Sequence, residues 1–257
     1  MLKLSPCAEM LFTELNFLDR IDAFKKMGFS AFEFWGWRNK DIEGILRKIE
    51  KNKMRISSMC IDPMVGIVDS KNKDEFLKSA EETIPVAKKI GISILIVTTG
   101  NQLNNISREE QHNNIVACLK AVSPLVEKEK ITIVLESLNI LVDHKGYYLS
   151  TSAEGFQIIR EVASKNIRLL FDIYHQQITE GNLIQNITQN LDLIGHFHSA
   201  DVPGRYEFGT GELNYRNIIH RIKDSGFNGY IGLEFRPLKS TEEALKSVKK
   251  ILRGVCE

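Results

Sequence analysis

The chain of 257 residues carries 34 Lys and Arg against 33 Asp and Glu, a net charge of +1 with no long basic block, so it lacks the charge excess that nucleic acid or a membrane surface would require. Hydrophobic residues make up 43% and charged residues 26%, which excludes the low-hydrophobicity, high-charge composition of a disordered chain. The four cysteines, Cys7, Cys60, Cys118 and Cys256, form no C-x-x-C pair and read as free thiols in a reducing compartment. Residues 1–15 mix Lys3, Pro6, Glu9 and Glu14 into their apolar positions and so lack the hydrophobic stretch of a secretory signal. The apolar run 92–97 is far too short to cross a bilayer. A folded cytoplasmic protein without nucleic-acid or membrane partners is expected, with its oligomeric state, homo-oligomer included, left open.

From the N-terminus onward, short β-branched or aromatic runs alternate with longer amphipathic segments, the pattern of βα units. Strand 2–8 leads to a helix near 16–27, and strand 31–35 to one near 40–52. Strand 55–61 precedes a helix near 73–89, and strand 94–99 one near 107–129. In the second half, strands 131–138, 167–173, 194–200 and 230–235 precede helices near 151–164, 182–192, 214–225 and 240–253. Gly28, Gly91 and Gly226 each close a helix just before the next strand, where the backbone takes a left-handed turn. Eight βα units in about 250 residues, with no linker dividing them, predict a single (β/α)₈ TIM barrel over residues 1–257. A doubly wound open sheet also alternates β and α, but no G-x-G-x-x-G follows the first strand, and a closed barrel leaves no edge strands.

In a barrel the active site lies at the C-terminal ends of the strands, so polar residues late in apolar strands are the candidates. Four occur on consecutive strands: Glu136 in Ile133-Val134-Leu135-Glu136, Asp172 in Leu169-Leu170-Phe171-Asp172, His198 in His196-Phe197-His198, and Glu234 in Ile231-Gly232-Leu233-Glu234. With neighbouring strands roughly 4.8 Å apart, inward side chains at one height converge on one volume. Three carboxylates there repel one another unless a cation joins them. Three oxygen-donating carboxylates and one imidazole favour one divalent Mg²⁺ or Mn²⁺ ion over the sulfur-rich or multi-histidine sites of zinc.

The surroundings of these residues resemble the hydroxypyruvate isomerase branch of the xylose-isomerase-like barrel superfamily. The segments that carry the resemblance are Val134-Leu135-Glu136-Ser137-Leu138-Asn139, Asp143-His144-Lys145-Gly146-Tyr147-Tyr148-Leu149, Phe171-Asp172-Ile173-Tyr174-His175-Gln176-Gln177 and Glu180-Gly181-Asn182-Leu183. With them goes the run from Gly195 through Asp201-Val202-Pro203-Gly204-Arg205 to Tyr215, and together they fall within roughly residues 131–237. The resemblance implies that Glu136, Asp172, His198 and Glu234 hold the metal and that Glu136 and Glu234 also exchange the substrate proton. It further implies that His175, the histidine of D-x-x-H, faces the substrate, although read alone it is a solvated loop histidine. Phe34-Trp35-Gly36-Trp37, after the second strand, departs from the family pattern and leaves the substrate open.

Arg205, in a Pro-Gly-Arg turn, is either a surface charge or, near the metal, a planar fork for a substrate carboxylate. His196 reads as a packed or supporting residue behind His198. Glu33 reads as a pocket wall or a buried ion-pair partner, and Trp35 and Trp37 as packing or lid residues. The expected chemistry is metal-assisted isomerisation of a small hydroxy-carbonyl acid through a cis-enediolate, hydroxypyruvate to tartronate semialdehyde first. The alternatives are a 2-oxo-tetronate isomerase or ketose 3-epimerase, a polyol dehydratase, and a DNA-repair nuclease relative or a non-catalytic metal-binding protein. A repair nuclease calls for more histidine ligands and a basic track, and neither is evident in the sequence.

Overall fold

The computed structural model describes residues 2–256. Its strands are β1 (Lys3–Pro6), β2 (Ala31–Phe32), β3 (Arg55–Ile56), β4 (Met59–Cys60), β5 (Ile94–Thr98), β6 (Thr132–Glu136), β7 (Ile167–Asp172), β8 (Ile194–Ser199) and β9 (Tyr230–Leu233). Parallel pairing runs β1-β9-β8-β7-β6-β5-β4 through one curled sheet, and β2 pairs with β3. The two pieces meet along the chain just past β2. There the Glu33 N–H donates to Pro6 C=O at 3.0 Å, Ala8 N–H donates to Glu33 C=O at 2.8 Å, and Cys60 N–H donates to Trp35 C=O at 3.0 Å. The result is a (β/α)₈ TIM barrel, as the alternating pattern predicts.

Around it pack α1 (Phe17–Lys26), α2 (Ile42–Asn52), α3 (Lys73–Lys89), α4 (Arg108–Glu129), α5 (Ser152–Val162), α6 (Ile173–Thr179), α7 (Leu183–Gln189), α8 (Tyr215–Asp224) and α9 (Thr241–Ile251). Several start where the sequence places a capping oxygen. Ser107, Thr151 and Ser240 accept from the backbone N–H of Glu110, Glu154 and Glu243, each three residues on, which satisfies one of the first-turn donors. Gly28, Gly91 and Gly226 take the left-handed conformation expected after α1, α3 and α8, with φ of 77°, 76° and 93°.

Three expected elements differ. Strand 31–35 keeps only Ala31–Phe32 in a sheet, with Glu33 joined to Cys7 by a single bridge. Strand 55–61 is two short strands, broken at Ser57 and Ser58, whose hydroxyls both turn to the Glu33 carboxylate. Consecutive residues of a regular strand face opposite ways, so the break is what lets both reach one group. The third difference is α6, which follows β7 directly where a loop was expected, so that Ile173 opens a helix instead of ending a strand.

Strand alternation sorts side chains into two environments. Leu135, Leu169, Phe171 and Phe197 belong to the large core, whereas Cys60, Ile96, Val134 and Leu170 form a separate apolar cluster. Ser5, Glu33, Ser57, Ser58, His196 and His198 are also buried, and hydrogen bonds and ion-pair contacts join them into a polar network. Among the described residues no helix is long and apolar enough to cross a membrane.

Candidate active site

At the C-terminal end of the barrel, β6, β7 and β8 end on or beside Glu136, Asp172 and His198, and Glu234 follows β9. Register places Asp172 beside His198, and His198 beside Gly232. One donor atom from each of Glu136, Asp172, His198 and Glu234 lies within 4.8 Å of the others, and all four residues are buried. The structure thus brings the four residues singled out by sequence into one cluster.

His198 sits at its centre. Its Nδ1 is 3.1 Å from Glu136 Oε1 and 3.5 Å from Glu234 Oε2, and its Nε2 is 3.2 Å from Glu33 Oε1. Burial works against a charged imidazole, but Glu234, Glu33 and Glu136 outweigh it and raise the His198 pKa well above its usual value. Glu234 also receives the Trp35 indole N–H on Oε1 at 2.9 Å and the Arg205 guanidinium on Oε2 at 2.5 Å. Burial opposes its ionisation, and His198 and Arg205 nevertheless hold its pKa far below the usual carboxylate range.

Asp172 divides its two oxygens. Oδ1 caps α6 by accepting from the N–H groups of Tyr174 at 2.8 Å and His175 at 3.2 Å, while Oδ2 lies 3.6 Å from His175 Nε2. Burial raises its pKa against the pull of Arg205 and His198, which marks the cost of gathering carboxylates in this volume.

His175 is not a solvated loop residue: it lies on α6, fully buried. Asn139 donates to its Nδ1 from the side-chain amide at 2.7 Å and from the backbone at 3.3 Å, and His175 Nε2 has no hydrogen-bond partner. Arg205 adopts a left-handed backbone, φ 59°, and lays its guanidinium 5.4 Å from the centre of the Tyr174 ring. Burial disfavours its charge, and Glu234, Asp172 and Glu136 more than restore it. It is therefore a largely buried site residue and not a surface charge.

The remaining sequence candidates separate. Trp35 touches Glu234, whereas Trp37 bonds to Thr83 Oγ1 at 3.1 Å and stacks with Arg38, away from the cluster. Glu33 is a buried ion-pair partner of both His196 and His198. Burial opposes its ionisation, yet the two imidazoles bring its pKa down to about 2. The sequence offers Glu33 as a pocket wall or buried ion-pair partner, Trp35 as a packing or lid residue and Asn139 within a familial segment, but not their partners His198, Glu234 and His175, each more than thirty positions away in the chain.

A cavity of about 240 Å³ opens beside the cluster, lined in part by Trp35, Cys60, Glu136, His144, Arg205 and Glu234. It is smaller than the roughly 300–1,000 Å³ typical of drug-sized ligand sites, a size suited to a small acid or sugar. The donor set fits a hard divalent cation: three carboxylates and one imidazole converge on one point, with Asp172 Oδ2 left over from the helix cap.

A family model described as xylose isomerase-like TIM barrel matches residues 21–251. The hydroxypyruvate isomerase of Escherichia coli K12 is 30% identical over 254 residues, covering 96% of this chain and 98% of that protein. The 2-oxo-tetronate isomerase of Cupriavidus necator is 27% identical over 250 residues, covering 95% and 96%. Among solved structures, an AP endonuclease family 2 protein from Brucella melitensis superposes with a TM-score of 0.92 at 22% identity, over 97% of this chain and 99% of that one, a likeness of fold. The chain belongs to the xylose isomerase-like TIM barrel family. Within that class it is an isomerase, and its relatives' names divide between two small acids.

Proposed function

We propose that the protein is a metal-dependent isomerase of a small hydroxy-carbonyl acid, with hydroxypyruvate and tartronate semialdehyde as the first pair to test. The observation that carries this reading is the convergence of Glu136, Asp172, His198 and Glu234 beside a small cavity that Arg205 also lines. Those four side chains would hold one Mg²⁺ or Mn²⁺ ion. Such an ion supplies positive charge against the two oxygens of an enediolate.

The protein's own groups supply the rest. Glu136 and Glu234 both approach His198 Nδ1, at 3.1 and 3.5 Å, and both line the cavity, so a substrate held there can meet two carboxylates. One removes a proton from C3 of hydroxypyruvate, and a proton returns to C2 as the hydroxyl proton passes from O3 to O2. No electrons leave the substrate, so no redox cofactor is needed. His175 Nε2 offers a hydrogen bond to a substrate oxygen, its Nδ1 being occupied by Asn139. Arg205 offers a planar fork to the substrate carboxylate.

The test is an NMR screen of three- to six-carbon hydroxy-carbonyl compounds with Mn²⁺ or Mg²⁺. Wild-type protein should isomerise hydroxypyruvate, and Glu136→Gln and Glu234→Gln should each lose turnover by a factor on the order of 10² or more. Wild-type turnover in both variants, with metal occupancy verified, would remove the proton path. The 2-oxo-tetronate isomerase relative favours a second reading, a four-carbon acid in the same site, and the screen separates it by product. An epimerised ketose or a dehydrated polyol in the same spectra would reassign the reaction class.

A further inference from the structure

We infer that Glu33 is a positioning residue for the metal site, fixing the tautomer and orientation of His198 from the opposite side of the ring. The inference rests on the reading of Glu136, Asp172, His198 and Glu234 as metal ligands. His198 presents Nδ1 to Glu136 and Glu234 and Nε2 to Glu33 Oε1 at 3.2 Å. Glu33 Oε1 and His198 Nε2, both buried and 3.2 Å apart, form an ion-pair contact, and neither has a hydrogen-bond partner among the described residues, so each is the nearest group available to satisfy the other. A proton kept on Nε2 by the carboxylate leaves the Nδ1 lone pair free for a cation. Metal-binding histidines characteristically use their second nitrogen this way.

The rest of the barrel interior is arranged to hold Glu33 in that pose. Its backbone is pinned on both sides by the bonds to Pro6 and Ala8. Its other oxygen, Oε2, receives Ser57 Oγ and Ser58 Oγ, each at 3.1 Å, and faces His196 Nε2 at 3.0 Å. The break between β3 and β4 is what aims both serines at it. Gly232 completes the device: a Cβ there would lie 2.3 Å from Glu33 Oε1 and 2.6 Å from His198 Cδ2, so a side chain at 232 would occupy the space where carboxylate and imidazole meet. Ser57 and Ser58 between β3 and β4, His196 and His198 on β8 and Gly232 on β9 thus all meet at the Glu33 carboxylate.

Glu33→Gln makes a discriminating variant. The donors around Oε2 hold the amide oxygen in that position, so the amide NH₂ faces His198 Nε2. A donor there forces Nε2 to accept and moves the ring proton to Nδ1, where it competes with the ion. Calorimetric titration with Mn²⁺ should show affinity weakened 10- to 100-fold relative to wild type. ¹⁵N NMR of the Mg²⁺-loaded wild type should show His198 protonated on Nε2, and the variant should lose that signature. Gly232→Ala, which keeps every charge but crowds the contact, should weaken Mn²⁺ binding in the same direction.

A folded Glu33→Gln protein with wild-type Mn²⁺ affinity, or a loaded wild type whose His198 carries its proton on Nδ1, overturns the inference. The NMR measurement on wild type decides the matter even if both variants fail to fold. Failure of wild-type protein to bind Mn²⁺ or Mg²⁺ at all would instead overturn the metal-site reading, and the inference with it.

Discussion

His175 shows how one buried side chain ties the site to pH. Asn139 Oδ1 accepts from the N–H groups of Val142 at 2.9 Å and Asp143 at 3.2 Å, which orients the amide so that its NH₂ faces His175 Nδ1. The ring proton is thereby assigned to Nε2. Burial pushes the His175 pKa down to about 3, with Arg205 adding to the effect, so the native ring stays neutral where an unfolded histidine titrates near 6.5. Between pH 6.5 and 3 the unfolded chain therefore binds a proton that the native state refuses. The native state gains its full advantage above that window and loses it progressively as pH falls through it. Urea unfolding of metal-free wild type and His175→Gln at pH 7 and pH 4.5 should show a smaller loss of stability on acidification in the variant; identical losses would place the shift elsewhere. His175 was legible in sequence as the end of D-x-x-H. Glu33 was legible only as a pocket wall or a buried ion-pair partner; the groups it pairs with were not, because they lie 24 to 165 positions away in the chain.

The loop between β8 and α8 is an element built on one carboxylate. Asp201, fully buried, accepts on Oδ1 from Val202 at 2.9 Å and Leu213 at 3.1 Å, and on Oδ2 from Gly209 at 2.8 Å and Gly211 at 3.0 Å. That network folds the loop back on itself and holds Arg205 against Glu234. Asp201→Ala would leave four backbone donors without their acceptor, at about 1–3 kcal/mol for each that stays buried and unpaired. The variant should melt at lower temperature, and its KM for an acidic substrate should rise by about tenfold or more as Arg205 loses its support. An unchanged KM in a folded variant would show that the loop positions Arg205 without Asp201. Elements of this kind are half legible. The Pro-Gly-Arg turn stands out in the sequence, but the partners of Asp201 are backbone groups that no residue pattern encodes. Helix α6 is not legible for a related reason: seven residues directly after a strand are too few to display a helical period, and in the sequence its N-cap, Asp172, looks the same as a ligand at a strand end.

At the scale of the whole molecule, eight strand-helix alternations were enough to read the barrel, since each unit carries its own apolar period. The seam at Glu33 and the division of the interior were not readable, because both depend on how distant strands meet. The closed barrel holds Glu33, Glu136, Asp172 and Glu234 in or beside one buried cluster, with His198 and Arg205 close among them as counter-charges. A divalent ion at this cluster would bind the native state far better than an unfolded chain in which the four ligands are dispersed. At a free ion concentration a hundred times its Kd the linkage is worth about 2.7 kcal/mol. For a chain of this size 1 kcal/mol moves Tm by about 2–4 °C, so saturation with Mn²⁺ or Mg²⁺ should raise Tm by about 5–10 °C. Excess chelator should return Tm to the metal-free value and abolish turnover in the same sample. Glu234→Gln should reduce the shift, since it removes one anionic ligand. A Tm that millimolar Mn²⁺ and Mg²⁺ both leave unmoved, or full turnover in chelator-stripped protein, would detach the cluster from metal binding and return its carboxylates to a structural role.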